Sequence, residues 1–266
     1  MNGLHAATTV DGLQENIELV AARLASFSAR RGIVLNSEKT QVMGPPTMGP
    51  VQIGNSLLTP SITMDLLGII FDYYGRFKDN NNKMAKELAK RVGAIRHLLP
   101  HISRGPLLRE IGQAIVIGKA SYGSWITRKA RVTDETNTGQ RQQSHIGQIA
   151  LNDLARVLTG HSRKDHISII ELASKAKLPT LNEVVVKRAS LEAWKAKNGG
   201  ALSDSIINIS SNTRASTQCL VRPSSESIVD KNLSECWNSS ENLRKAATKN
   251  AARTAAKQFS SEMRFL

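Results

Sequence analysis

The chain has 266 residues, 40% of them hydrophobic but only 4% aromatic, with a formal net charge of +14 at pH 7. A core of that composition must rest on Leu, Ile, Val, Ala and Met, which leans helical. The longest apolar runs, such as Leu66 to Phe71, are too short to span a bilayer, and the N-terminus lacks a basic-then-apolar leader pattern, so an intracellular protein of nucleus or cytoplasm is expected, with no membrane partner.

The first predicted element is a helix over residues 11–31. Leu13, Ile17, Val20, Leu24 and Phe27 recur at steps of three and four, Asp11 is the candidate N-cap, and Gly32 suits the left-handed position after the last turn. Short strands are predicted at Ile33–Leu35 and Thr40–Met43 around a turn at residues 36–39, before Gly44-Pro45-Pro46 ends the run. Val51–Ile53 and Ser56–Leu58 read as a hairpin about Gly54-Asn55. Thr63 to Asp72 reads as one apolar strand, buried on both faces or against a close partner.

From Asn80 the period becomes helical. A helix is expected to Leu99, stopped by Pro100, then others over about 105–128, 144–158, 165–175 and 181–197. Residues 132–142 read as a polar loop and 200–240 as loosely ordered Ser/Asn/Thr-rich chain. Residues 241–262 return to helical composition. The fold class is therefore α+β: a small sheet with one helix at the N-terminus, followed by a mostly helical region.

The charge is unevenly placed. Residues 1–78 hold six Lys/Arg and six Asp/Glu, residues 79–199 hold 21 against ten, and residues 200–266 hold nine against six. A basic surface concentrates polyanions and speeds their capture. On the first basic helix, Lys83, Lys86, Lys90, Arg91 and Arg96 fall at short helical steps that can track phosphates without reading sequence, or can simply form a solvated basic face. Cys219 and Cys236 lack metal-ligand spacing and read as reduced thiols. His97 and His101 have no Cys/His partners at zinc-ligand spacing.

Gly32-Ile33-Val34-Leu35-Asn36-Ser37-Glu38-Lys39-Thr40 is by spacing a helix end and a turn carrying one lysine. It resembles the palm element Gly-Ile/Leu-x-x-Asn-x-x-Lys-Thr of reverse transcriptases from non-LTR retrotransposons of the jockey or LINE type, with Gly32, Asn36, Lys39 and Thr40 matching. The resemblance implies that Lys39 lies near the incoming nucleotide's phosphates, where it could neutralise or protonate the leaving pyrophosphate. Leu66-Leu67-Gly68-Ile69-Ile70-Phe71-Asp72 is similar to the same family's primer-grip strand pair, which assigns Leu67, Gly68 and Ile69 to bracing a primer end. Tyr122 and Trp125, then Arg156, Thr159, Gly160, Arg163, Asp165 and His166, match looser helical segments of that family, although Trp125 reads better as a packing anchor.

On this resemblance, residues 1–78 are the C-terminal part of a palm, 79–199 a basic thumb and connection region, and 200–266 a loosely ordered tail with a late helix. The sequence contains no Tyr-x-Asp-Asp box, whose aspartates hold two Mg2+ ions in the full-length family enzyme. The expectation is an RNA-directed DNA polymerase fragment, inactive alone, with no cofactor of its own. Its partners would be an RNA template, an RNA/DNA or DNA duplex backbone, and the missing N-terminal half of the polymerase. The alternative is a stand-alone basic nucleic-acid-binding or scaffold protein without catalysis.

Overall fold

Thr9 starts the first helix, α1 (Val10–Arg31): its hydroxyl accepts the Gly12 N–H at 3.2 Å. Asp11 is therefore not the cap but a first-turn acid, where its charge complements the helix dipole. Gly32, at φ 65, closes the helix in the left-handed region. The computed structural model describes residues 9–132, 146–199 and 227–265. The chain forms two units, residues 1–77 and 78–266, and the architecture is α+β.

In the first unit, β1 (Val51–Ile53) and β2 (Ser56–Leu58) pair antiparallel about Gly54-Asn55, as the sequence predicts. β3 (Thr63–Leu66) and β4 (Ile69–Asp72) also pair antiparallel, so the expected single strand is a hairpin. The chain reverses because Leu67 (φ 53) and Gly68 (φ 80) both enter the left-handed region, and Asp65 Oδ1 accepts the Gly68 N–H at 3.0 Å. The expected double burial fails with it: Ile69 is buried, whereas Leu66 and Leu67 are exposed.

No strand forms at 33–35 or 40–43. Residues 37–39 make a 3-10 turn, and Met43 makes one isolated parallel bridge to Ser61. A strand needs a neighbour for its backbone groups, and Val34, 92% exposed, has none to pack on. The core of this unit is Ala21, Val42, Met48 and Val51, flanked by Val10, Leu13, Ile17, Ile53 and Leu58. A two-stranded sheet is too narrow to cover the whole α1 stripe, so Leu24 and Phe27 stay exposed, with the Arg31 guanidinium 5.7 Å over the Phe27 ring.

The second unit is helical among the described residues. α2 (Lys78–His97) packs against α6 (Ile146–Thr159), which in turn packs against α7 (Ile169–Ala176), and Leu88, Val92, Ile95, Leu151, Leu154 and Leu172 share one core. The expected continuous helix over 105–128 is interrupted. α3 (Pro106–Gly112) runs into a π turn at Gln113–Ile117, then α4 (Gly118–Ser121), and Gly123 at φ 63 breaks the path before α5 (Ser124–Thr127). α7 begins later than Asp165 because Ser168 is its N-cap, accepting the Glu171 N–H.

α8 (Leu181–Lys197) carries a capping box between Thr180 and Glu183. It packs against α9 (Ile228–Ser239) and α11 (Lys249–Glu262), with the short α10 (Glu241–Arg244) between them. The expected loose order of 200–240 falls partly on residues 200–226, outside the described ones. Within 228–239 it is overturned, because Leu233, Cys236 and Trp237 are buried against α8 and α11.

Two polar residues lock this layer. Buried Asn232 donates to the carbonyls of Trp125 (2.7 Å) and Arg128 (2.6 Å) and accepts the Ala130 N–H (2.7 Å). Arg264 donates to Glu183 Oε2 (3.0 Å) and the Leu178 carbonyl (2.8 Å), holding the last turn to the start of α8. No helix among the described residues is long and apolar enough to cross a membrane.

Candidate nucleic-acid interface

In the first unit, Gly32 closes α1, and Asn36, Lys39 and Thr40 belong to the turn that follows four residues later. After Gly32, the Ile33 N–H bonds back to the Ser28 carbonyl at 2.9 Å. Asn36 Oδ1 accepts the Lys39 N–H at 3.2 Å, and the Asn36 carbonyl accepts the Thr40 hydroxyl at 2.7 Å. The asparagine thus winds the turn that presents Lys39 to solvent, and Thr40 lines an open cleft of about 270 Å³ with Ser28, Ile33, Asn55 and Leu58. Leu67 and Gly68 form the tip of the second hairpin, and Ile69 turns inward behind them.

In the second unit, the five basic residues singled out on α2 do not share one face. Lys86 and Lys90 are exposed and Lys83 half-buried, at steps of three and four opposite the buried line Met84, Leu88, Val92 and Ile95. Glu87, the nearest acid on this helix, is paired with Lys119 at 2.8 Å, and that hydrogen bond holds its carboxyl below the ordinary value. Arg91 instead donates to the Ile115 carbonyl at 3.1 Å, tying α2 to the π turn, and Arg96 is exposed on a different side of the helix.

Several of the other family-like residues do structural work. Trp125 packs into the α8–α9–α11 layer. Arg163 holds Asp153 with two hydrogen bonds of 3.2 and 2.6 Å, and Asp165 accepts the Ser162 N–H, which holds its carboxyl below the ordinary value. Gly160 ends α6 at φ 82, and Arg104 donates to the Val157 carbonyl beside it.

Two features lie outside the residues singled out from the sequence as nucleic-acid-binding, although the sequence already marks the late helix as basic. Lys249, Arg253 and Lys257 form an exposed ridge on α11, legible as basic residues at i, i+4 and i+8, and none is in an ion pair among the described residues. The run Phe71–Phe77 also concentrates aromatic residues in a chain that has few.

The acids near the Gly68 turn do not fit a two-metal centre. Asp65 accepts the Gly68 N–H, Asp72 accepts the N–H groups of Arg76 and Phe77, and no group of three or more His, Cys, Asp or Glu among the described residues could hold a metal ion. Comparison with protein families, with characterised proteins and with solved structures gives no match to this chain.

Proposed function

We propose that the chain is a nucleic-acid-gripping segment of an RNA-directed DNA polymerase of the non-LTR retrotransposon type, one that does not polymerise by itself. The observation that carries the reading is the turn of Asn36, Lys39 and Thr40 after the Gly32 helix end, in which Asn36 winds the backbone so that Lys39 is offered to solvent. In that role Lys39 meets nucleotide phosphates, and Lys83, Lys86 and Lys90 follow a duplex backbone over roughly 10 Å of helix axis.

The test is binding of the full chain to an RNA/DNA hybrid across a salt series. A steep fall of affinity with salt, common to all sequences, supports backbone tracking. Replacing Lys83, Lys86 and Lys90 by Ala should flatten the log–log slope by about 2–3, since each neutralised phosphate contributes about 0.9. A second reading, a stand-alone binding module without catalysis, is favoured by the engagement of Asp65 and Asp72 with backbone N–H groups. Metal-dependent primer extension on adding a segment that supplies a Tyr-x-Asp-Asp box decides for the polymerase; duplex binding without extension decides for the module.

A further inference from the structure

The chain has three Trp, three Tyr and five Phe, and four of these eleven residues, Phe71, Tyr73, Tyr74 and Phe77, lie within seven positions. They divide by direction. Phe77 is buried and meets Phe71 edge-on at 5.8 Å, whereas Tyr73 is 39% and Tyr74 56% exposed. The two tyrosine rings stand 5.3 Å apart at 79°, and the Arg76 guanidinium lies 5.3 Å over the Tyr74 ring.

The backbone beneath them is fixed at several points. The Tyr73 N–H donates to the Ile62 carbonyl at 2.9 Å, Gly75 takes φ 66 while its N–H returns to the Asp72 carbonyl, and the Asp72 carboxylate accepts the Arg76 and Phe77 N–H groups. Asp72 is the one acid in this segment, and its oxygens are turned onto backbone, so the charge offered outward beside the rings is that of Arg76.

From these observations we infer that Tyr73, Tyr74 and Arg76 form a stacking platform for the bases of unpaired nucleic acid. Exposed rings on a held backbone lose little side-chain freedom when a base lies on them, and every base has a π-face, so such a platform is indifferent to sequence. Arg76 supplies the cation that a flanking phosphate needs. A duplex cannot use the platform, because its bases are stacked on one another. The inference rests on the nucleic-acid reading above and adds to it a single-stranded ligand and a site in the first unit.

The experiment titrates the full chain with an oligo(dT) of about 12 nucleotides, within the range one binding surface occupies, with an abasic strand of the same length and charge, and with an RNA/DNA hybrid. The wild-type chain should bind the base-containing strand roughly tenfold more tightly than the abasic one at equal salt. Tyr74→Ala should bring the two affinities together, with abasic and duplex binding and the thermal midpoint unchanged, and Tyr74→Trp should restore the preference. If the wild-type chain treats both single strands alike, or Tyr74→Ala keeps the preference, the platform is overturned. Steep duplex binding in that case leaves the phosphate-tracking reading in place, whereas failure to bind any of the three ligands at low salt overturns both.

Discussion

Leu67 holds a large aliphatic side chain at φ 53 with 81% of its surface exposed, at the tip of a hairpin whose loop geometry favours Asn-Gly. A left-handed leucine costs roughly 1 kcal/mol, and its exposed methyls gain no burial. Leu67→Asn should therefore stabilise the chain by about 0.5–1 kcal/mol, read as a higher urea midpoint with unchanged m-value. If the same variant weakens hybrid binding, the strain is being kept for contact with a ligand; lower stability would show that Leu67 supports the hairpin in a way that its φ and exposure conceal. At Cys236 burial pushes the thiol from 9.0 up to about 12. Because the folded value is the raised one, the contribution of the protonated thiol to stability is complete below pH 9 and is lost as pH rises toward 12. Relative to Cys236→Ala, the wild-type chain should lose denaturant resistance between pH 8 and pH 10.5. In a Cys219→Ala background, thiol reagents should label Cys236 only as fast as the protein opens, and rapid labelling at pH 8 would contradict the burial.

On helices, two glycines allow a direct comparison. Gly93 of α2 has open space where a Cβ would stand, whereas a Cβ on Gly112 of α3 would meet Leu154 Cδ1 at 3.1 Å inside the core. Gly93→Ala should gain the helix-propensity difference of about 0.8–1 kcal/mol, a rise of roughly 2–4 °C in Tm. Gly112→Ala should gain less or lose, because Leu154 must move within a packed interface. Equal shifts for the two variants would mean that α3 and α6 are not in close contact. The same contrast marks what the sequence could reveal of the elements. Helix α8 was readable because its start and inner face are written locally, in Thr180, Glu183 and the spacing of Val185, Ala189 and Ala193. The break of the 105–128 helix at Gly123 and the hairpin at Leu67-Gly68 were not, since a leucine in the left-handed region carries no turn signature. Asn232 was beyond reach for another reason: its partners lie more than 100 residues earlier, and only the assembled helices bring them together.

For the chain as a whole, charge and core follow the same division. Residues 78–266 hold 31 Lys/Arg and 16 Asp/Glu, against five and six in residues 1–77. Three apolar clusters lie wholly within 78–266, and the fourth wholly within 1–77. That the middle of the chain is basic and helical was legible from composition. Which of its cations face solvent was not, because Arg91 is turned to a carbonyl by a π turn that no local pattern announces. A unit that owns its cores does not need the rest of the chain to fold, and a unit that owns the positive surplus governs counterion release. Residues 78–266 expressed alone should therefore show helical circular dichroism and one cooperative thermal transition, and should bind an RNA/DNA hybrid with the salt slope of the full chain to within about one unit. A folded fragment with a much flatter slope would assign the phosphate contacts to the first unit and to Lys39, moving the grip from the basic helices to the turn at Asn36.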